Sequence, residues 1–152
     1  MVLAKQIAKI DRGVIHFFRK HQETISRVVL FIIFGWFGVL KVLDLSPATP
    51  MVAAMFQKTL VSFLTFPVFL VGFGLFEVLI GILFLIRGAE RIVFPLLVIH
   101  MLTTALPLFL LPDLAWTAPF VPTMEGQYII KNLALIATAI TIAAHLPTLK
   151  KI

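Results

Sequence analysis

Four long apolar runs, Arg27–Leu45, Phe66–Ile86, Ile92–Leu111 and Ile129–Leu146, constrain this chain more than any motif in it. A membrane-spanning helix needs about 20 mostly apolar residues, because the hydrocarbon core is about 30 Å thick and each residue rises about 1.5 Å. Each run comes near that length. A bilayer interior offers no water to satisfy backbone amides, so the spans are expected to be helices. The expected fold class is all-α: one four-helix transmembrane bundle over residues 1–152.

Composition agrees, with 61% hydrophobic and 13% charged residues, against about 25% charged in an ordinary soluble domain. The net charge of +6 does not point to nucleic acid, because the charges sort by position. Lys5, Lys9, Arg12, Arg19, Lys20 and Arg27 lie before or at the start of the first span. Arg87 and Arg91 lie between the second and third, and Lys150 and Lys151 follow the fourth. If the spans alternate, these ten share one side, and only Lys41, Lys58 and Lys131 fall toward the other. The positive-inside rule places both termini in the cytoplasm and the 46–65 and 112–128 loops outside. The expected location is a bacterial inner membrane.

The absence of cysteine excludes a self-contained disulfide cycle, a thiolate nucleophile and an iron–sulfur cluster. The first apolar run starts late and is too long for a cleavable leader, so span one is expected to remain as an anchor.

Within residues 1–22, Leu3, Ile7, Ile10, Val14 and Phe17 fall on one helical stripe. Lys5, Lys9, Arg12, Arg19 and Lys20 occupy much of the remaining surface. This reads as an amphipathic helix lying on the cytoplasmic leaflet, a lipid contact or a docking helix for a partner subunit. After span one, Ser46–Pro50 breaks the helix. Thr49 is a candidate N-cap with Pro50 at the first helical position, and residues 51–64 are expected to form a short outer helix covering the bundle. Pro107 should kink or fray the outer end of span three. Ala134, Ala137, Thr138, Thr141 and Ala144 give span four a small-residue face suited to close packing or to another membrane subunit.

Ionisable residues inside a span are functional candidates. Glu77 and His100 lie roughly 15 Å and 13 Å from the cytoplasmic end at about 1.5 Å per residue, on consecutive antiparallel spans. They are expected to pair, either as a bond that glues two helices or as a proton-handling, ligand-orienting site. Lys41, Lys131 and Asn132 lie toward the outer end, with Asp44 and Thr104 in the same half. Lys41, Glu77, His100, Thr104, Lys131 and Asn132 could line a polar pocket for an anionic or carbonyl-bearing ligand. Alternatively, each lysine reaches the interface alone. His145 lies roughly 10 Å from the depth of His100, which argues against b-type haem. No HExxH motif or carboxylate cluster points to a metal. Four spans without a repeat argue against a solute transporter.

Three segments resemble a known family. Trp36-Phe37-Gly38-Val39-Leu40-Lys41 is similar to the W-x-G-x-x-K element closing the first span of YkgB-type proteins in the DoxX-like superfamily. Phe73–Gly81 is similar to that family's G-x-x-E-x-x-x-G element in the second span. Gly126–Leu133 is similar to the segment that opens its fourth span, with Asn132 where the family commonly has Asp. The resemblance implies a four-helix inner-membrane protein with Lys41, Glu77 and Lys131 as its characteristic polar residues. It also implies an accessory role beside a catalytic partner, in quinone-linked oxidation or in oxidative-stress resistance, with quinone as the expected ligand. A structural subunit without a ligand is the alternative reading.

Overall fold

A computed structural model describes the backbone of residues 2–148 and the side chains of residues 5–148. Lys150 and Lys151 of the basic count, and the side chain of Leu3, lie outside the described residues. The elements run α1 (Val2–Val42), α2 (Thr49–Thr59), α3 (Phe66–Leu85), α4 (Glu90–Ala105), α5 (Pro107–Leu110), α6 (Pro112–Ala115), β1 (Trp116–Ala118), β2 (Val121–Pro122) and α7 (Met124–Ala143). Among the described residues, four helices are long and apolar enough to cross a membrane: α1, α3, α4 with α5, and α7. The architecture is an all-α four-helix bundle of an integral membrane protein. A two-stranded antiparallel hairpin, β1–β2, interrupts the helical pattern in the 112–128 loop.

The α1–α3 contact organises the bundle, and two glycine crossings explain its closeness. A Cβ on Gly74 would lie 2.6 Å from the Gly38 carbonyl oxygen, and one on Gly38 would lie 2.6 Å from that of Gly74. Further along, a Cβ on Gly81 would stand 3.0 Å from the Gly35 nitrogen. Small residues at such positions let two membrane helices approach backbone to backbone. Below the crossing, Leu30, Phe34, Ile80, Phe84, Val93, Leu97, Ala139 and Ile142 close a core shared by α1, α3, α4 and α7.

The N-terminal amphipathic stretch does not form a separate helix. It is the first half of α1, an unbroken helix of 41 residues and about 62 Å at 1.5 Å per residue, twice the hydrocarbon thickness. No glycine or proline lies between Gly13 and Gly35 to break it. Residues 5–20 are exposed along their whole length. The buried face of the second half, Arg27, Leu30, Phe34, Gly38 and Lys41, projects back through Glu23, Lys20, His16, Lys9 and Lys5 at about 100° per residue. The opposite face, Ile7, Ile10, Val14, Phe18, Ile25, Val28, Ile32, Trp36 and Val39, is exposed from end to end. The apolar stripe of the arm is therefore in line with the outward side of the span.

Proline and capping chemistry set the other boundaries. Thr49 is not the cap of α2; that position is Ala48, and the turn before it is closed by Ser46, whose Oγ accepts from the Ala48 N–H at 3.3 Å. Helix α2 ends at Thr59, short of the expected 64, and seats Phe56 against Phe66 and Phe69 at the start of α3. Pro95 sits inside α4 without interrupting it. Pro107 has no N–H to continue the ladder, and α4 stops at Ala105 before α5 begins. Thr123 caps α7, its Oγ1 accepting from the Gly126 N–H at 3.1 Å. Ala134, Ala137 and Ala144 are exposed, so the small-residue face of α7 points away from the bundle, which buries Ala139 and Ile142 instead.

Candidate functional site

Three ionisable side chains meet around the Gly38–Gly74 crossing. Lys41 closes α1 one turn after Gly38, Glu77 lies three residues after Gly74 on α3, and His100 lies midway along α4. Lys41 Nζ donates to Glu77 Oε2 at 2.6 Å. His100 Nε2 faces the other carboxylate oxygen, Oε1, at 3.4 Å. All three residues are buried, at 6%, 5% and 3% exposure. Glu77 therefore joins three helices through one carboxylate, and the close crossing brings α1 near enough for the lysine to reach it.

Aromatic rings surround this cluster. The His100 ring packs at centroid distances of 5.3 Å from Phe34, 5.4 Å from Phe73 and 6.1 Å from Phe76. Lys41 Nζ stands 5.4 Å from the Phe73 centroid, a cation–π distance. His100 Nδ1 is buried and has no hydrogen-bond partner among the described residues. If Nε2–H points at the carboxylate, neutral imidazole leaves Nδ1 as a bare acceptor, and imidazolium makes it a donor. A buried polar atom without a partner is costly, and it marks where a ligand atom would gain most.

The other expected pocket residues do not join. Lys131 is exposed on α7 and lies 5.3 Å from the centroid of Tyr128, its own helical neighbour. It behaves as the lysine that reaches the interface alone. Thr104 donates to the His100 and Met101 carbonyls of its own helix at 2.9 and 3.2 Å. Asn132 is half-buried and has no side-chain hydrogen bond to the cluster. Asp44 is exposed, at a left-handed turn with φ 55° that ends α1. His145 follows α7 at the far end of the bundle, with Nδ1 against the Thr141 carbonyl at 2.8 Å and Nε2 against Gln22 at 3.2 Å. Lys5, Lys9, Arg12, Arg19 and Lys20 are all exposed on the α1 arm. Among the described residues, no three His, Asp or Glu side chains come together as metal ligands.

A second buried charge cluster was not expected from the sequence. Arg27 bonds Glu90, Glu23 Oε1 at 3.0 Å and the Phe84 carbonyl at 3.0 Å, with Arg27 and Glu90 5% and 6% exposed. Glu90 Oε2 also accepts from the Gly88 N–H at 2.8 Å. The i,i+4 spacing of Glu23 and Arg27 was the readable signal. The reach to Glu90 depends on how α1 meets the α3–α4 turn. The aromatic cage was partly readable as well, since Phe73, Phe76 and Glu77 share a helical face.

No family model matches the chain, and no curated protein or solved structure shows a significant match to it.

Proposed function

We propose that this chain is a small accessory subunit of a membrane redox or stress-response system, of the DoxX-like, YkgB-type kind. It holds a quinone-like or other small carbonyl-bearing ligand against the Lys41–Glu77–His100 cluster. The observation that carries this reading is the buried, unpartnered Nδ1 of His100, on a ring whose other nitrogen faces a carboxylate. A quinol hydroxyl donates to Nδ1 when Nε2 carries the ring proton; in the other tautomer Nδ1–H donates to a quinone carbonyl. Glu77 orients the ring through Nε2, and Lys41 offsets the carboxylate charge. Phe34, Phe73 and Phe76 supply apolar ring surface beside that atom.

In this reading the protein sits in a bacterial inner membrane with both termini cytoplasmic, supported by the ten basic residues that share one side. The α1 arm rests on the cytoplasmic leaflet. Because its apolar stripe is in line with the outward side of the span, only a bend away from the bundle turns that stripe toward the lipid.

The test is titration of a short-chain ubiquinone analogue into the purified full chain and into His100→Phe and Lys41→Met variants. His100→Phe keeps a ring among rings and removes Nδ1; binding is expected to fall by up to about tenfold, one hydrogen bond's worth. Equal affinity in wild type and both variants ends the redox reading. The alternative, a structural subunit, is favoured by one observation: both Glu77 oxygens are already engaged inside the bundle. In that case the variants lose stability and the wild type binds no quinone.

A further inference from the structure

A cleft of about 330 Å³ opens at the end of the bundle that carries the α3–α4 turn. It is lined by Glu23 and Arg27 of α1, Arg87 of the turn, Glu90 and Arg91 of α4, and His145 after α7. The donors there are unequally committed. Arg27 is occupied by Glu23, Glu90 and the Phe84 carbonyl. His145 has both nitrogens engaged, by Gln22 and Thr141. Arg91 gives one N–H to the Pro147 carbonyl at 3.0 Å and keeps the rest. Arg87 is exposed and has no side-chain partner among the described residues. Three arginines against two glutamates leave one positive charge unmatched in the cleft.

We propose that this cleft is a phosphate-binding site in which Arg87 and Arg91 hold the anion above the Arg27–Glu23–Glu90 floor. Guanidinium forks match phosphate oxygens in geometry, and the surplus of one charge matches a phosphodiester. The floor also sets the site's shape. Glu90 binds the Gly88 N–H, so the buried pair fixes the turn that carries Arg87. The site lies at the ends of α3 and α4, the level at which phospholipid headgroups meet a membrane protein, and basic pockets between helices at that level take such headgroups. A lipid phosphodiester and free inorganic phosphate present the same anionic phosphate oxygens to a guanidinium fork.

The experiment is native mass spectrometry of the delipidated full chain with added phosphatidylglycerol or phosphatidylcholine, with and without inorganic phosphate. The wild type is compared with an Arg87→Gln/Arg91→Gln variant and with an Arg19→Gln/Lys20→Gln control on the arm. Phosphatidylglycerol is expected to bind the wild type and the control at least about tenfold better than the cleft variant. Both Arg87 and Arg91 are exposed, so the cleft variant should keep the wild-type melting temperature. Lipid that survives inorganic phosphate assigns the site to a headgroup. Displacement of lipid by phosphate, with phosphate binding lost in the cleft variant, assigns it to the free anion; both results uphold the site. Equal lipid and phosphate binding by wild type and cleft variant overturns it. So does an equal loss in the control, which would mean unspecific surface charge.

Discussion

Lys41 Nζ stands 2.6 Å from Glu77 Oε2, with both side chains about nine-tenths removed from solvent at 7% and 6% exposure. Removing one member of such a pair strands the other. Lys41→Met is expected to destabilise the protein by about 3–5 kcal/mol, the range for breaking a buried ion pair. Lys41→Met with Glu77→Gln should recover most of that, because the amide keeps a partner for His100 without a buried charge. Unfolding in detergent, run as a double-mutant cycle, checks this. A double variant as unstable as Lys41→Met alone would mean that the charges themselves are not coupled.

The glycine crossing upstream of this pair predicts a contrast between two nearby positions. Gly74→Ala puts a methyl 2.6 Å from the Gly38 carbonyl oxygen. It should cost about 1–3 kcal/mol or more, because backbone must move. The same shift would pull Lys41 away from Glu77. Gly72→Ala meets nothing within 4 Å, and should stabilise the helix by about 0.5–1 kcal/mol. Melting temperatures of the two variants moving in the same direction would contradict the close approach.

Glu23 and Glu90 share Arg27 but not its environment. The Glu23 side chain is 31% exposed and that of Glu90 is 7% exposed. Glu90→Ala leaves a buried guanidinium short of its main partner and frees the Gly88 N–H, so a loss of about 3 kcal/mol is expected. Glu23→Ala removes an i,i+4 pair open to solvent and should cost only about 0.5 kcal/mol. Equal losses in chemical denaturation would argue that the burial difference is immaterial.

The arm of α1 carries a prediction about its orientation. The chain has no cysteine, so single cysteines can be introduced for labelling. An environment-sensitive probe at Val14→Cys, on the apolar stripe, is expected to shift its emission to the blue when the protein enters phosphatidylglycerol vesicles. A probe at Lys9→Cys, on the opposite face, should stay in water. The net charge over residues 5–23 is +3, from five Lys or Arg and two Asp or Glu. The shift should therefore weaken in phosphatidylcholine vesicles or in high salt. Identical probe environments at the two positions would show that the arm does not lie on lipid.

Reading along the chain determined whatever depends on one segment at a time. Apolar length decides whether a helix can cross a bilayer, and that requirement acts on each span separately. The bundle class was legible for that reason. Depth is also a property of single positions, so counting residues along each span is enough to put Glu77 and His100 at one level.

Azimuth was not legible. Lys131 and Asn132 belong to the outer end by sequence, yet α7 turns Lys131 outward to Tyr128. Arg27 reads as a boundary residue at the start of span one, and the structure buries it against Glu90 of α4. Which faces meet depends on how the helices rotate and cross. That is set by contacts distant in sequence, above all the Gly38–Gly74 approach, and no single segment contains them. Tertiary structure alone therefore decided that one lysine enters the bundle and the other leaves it.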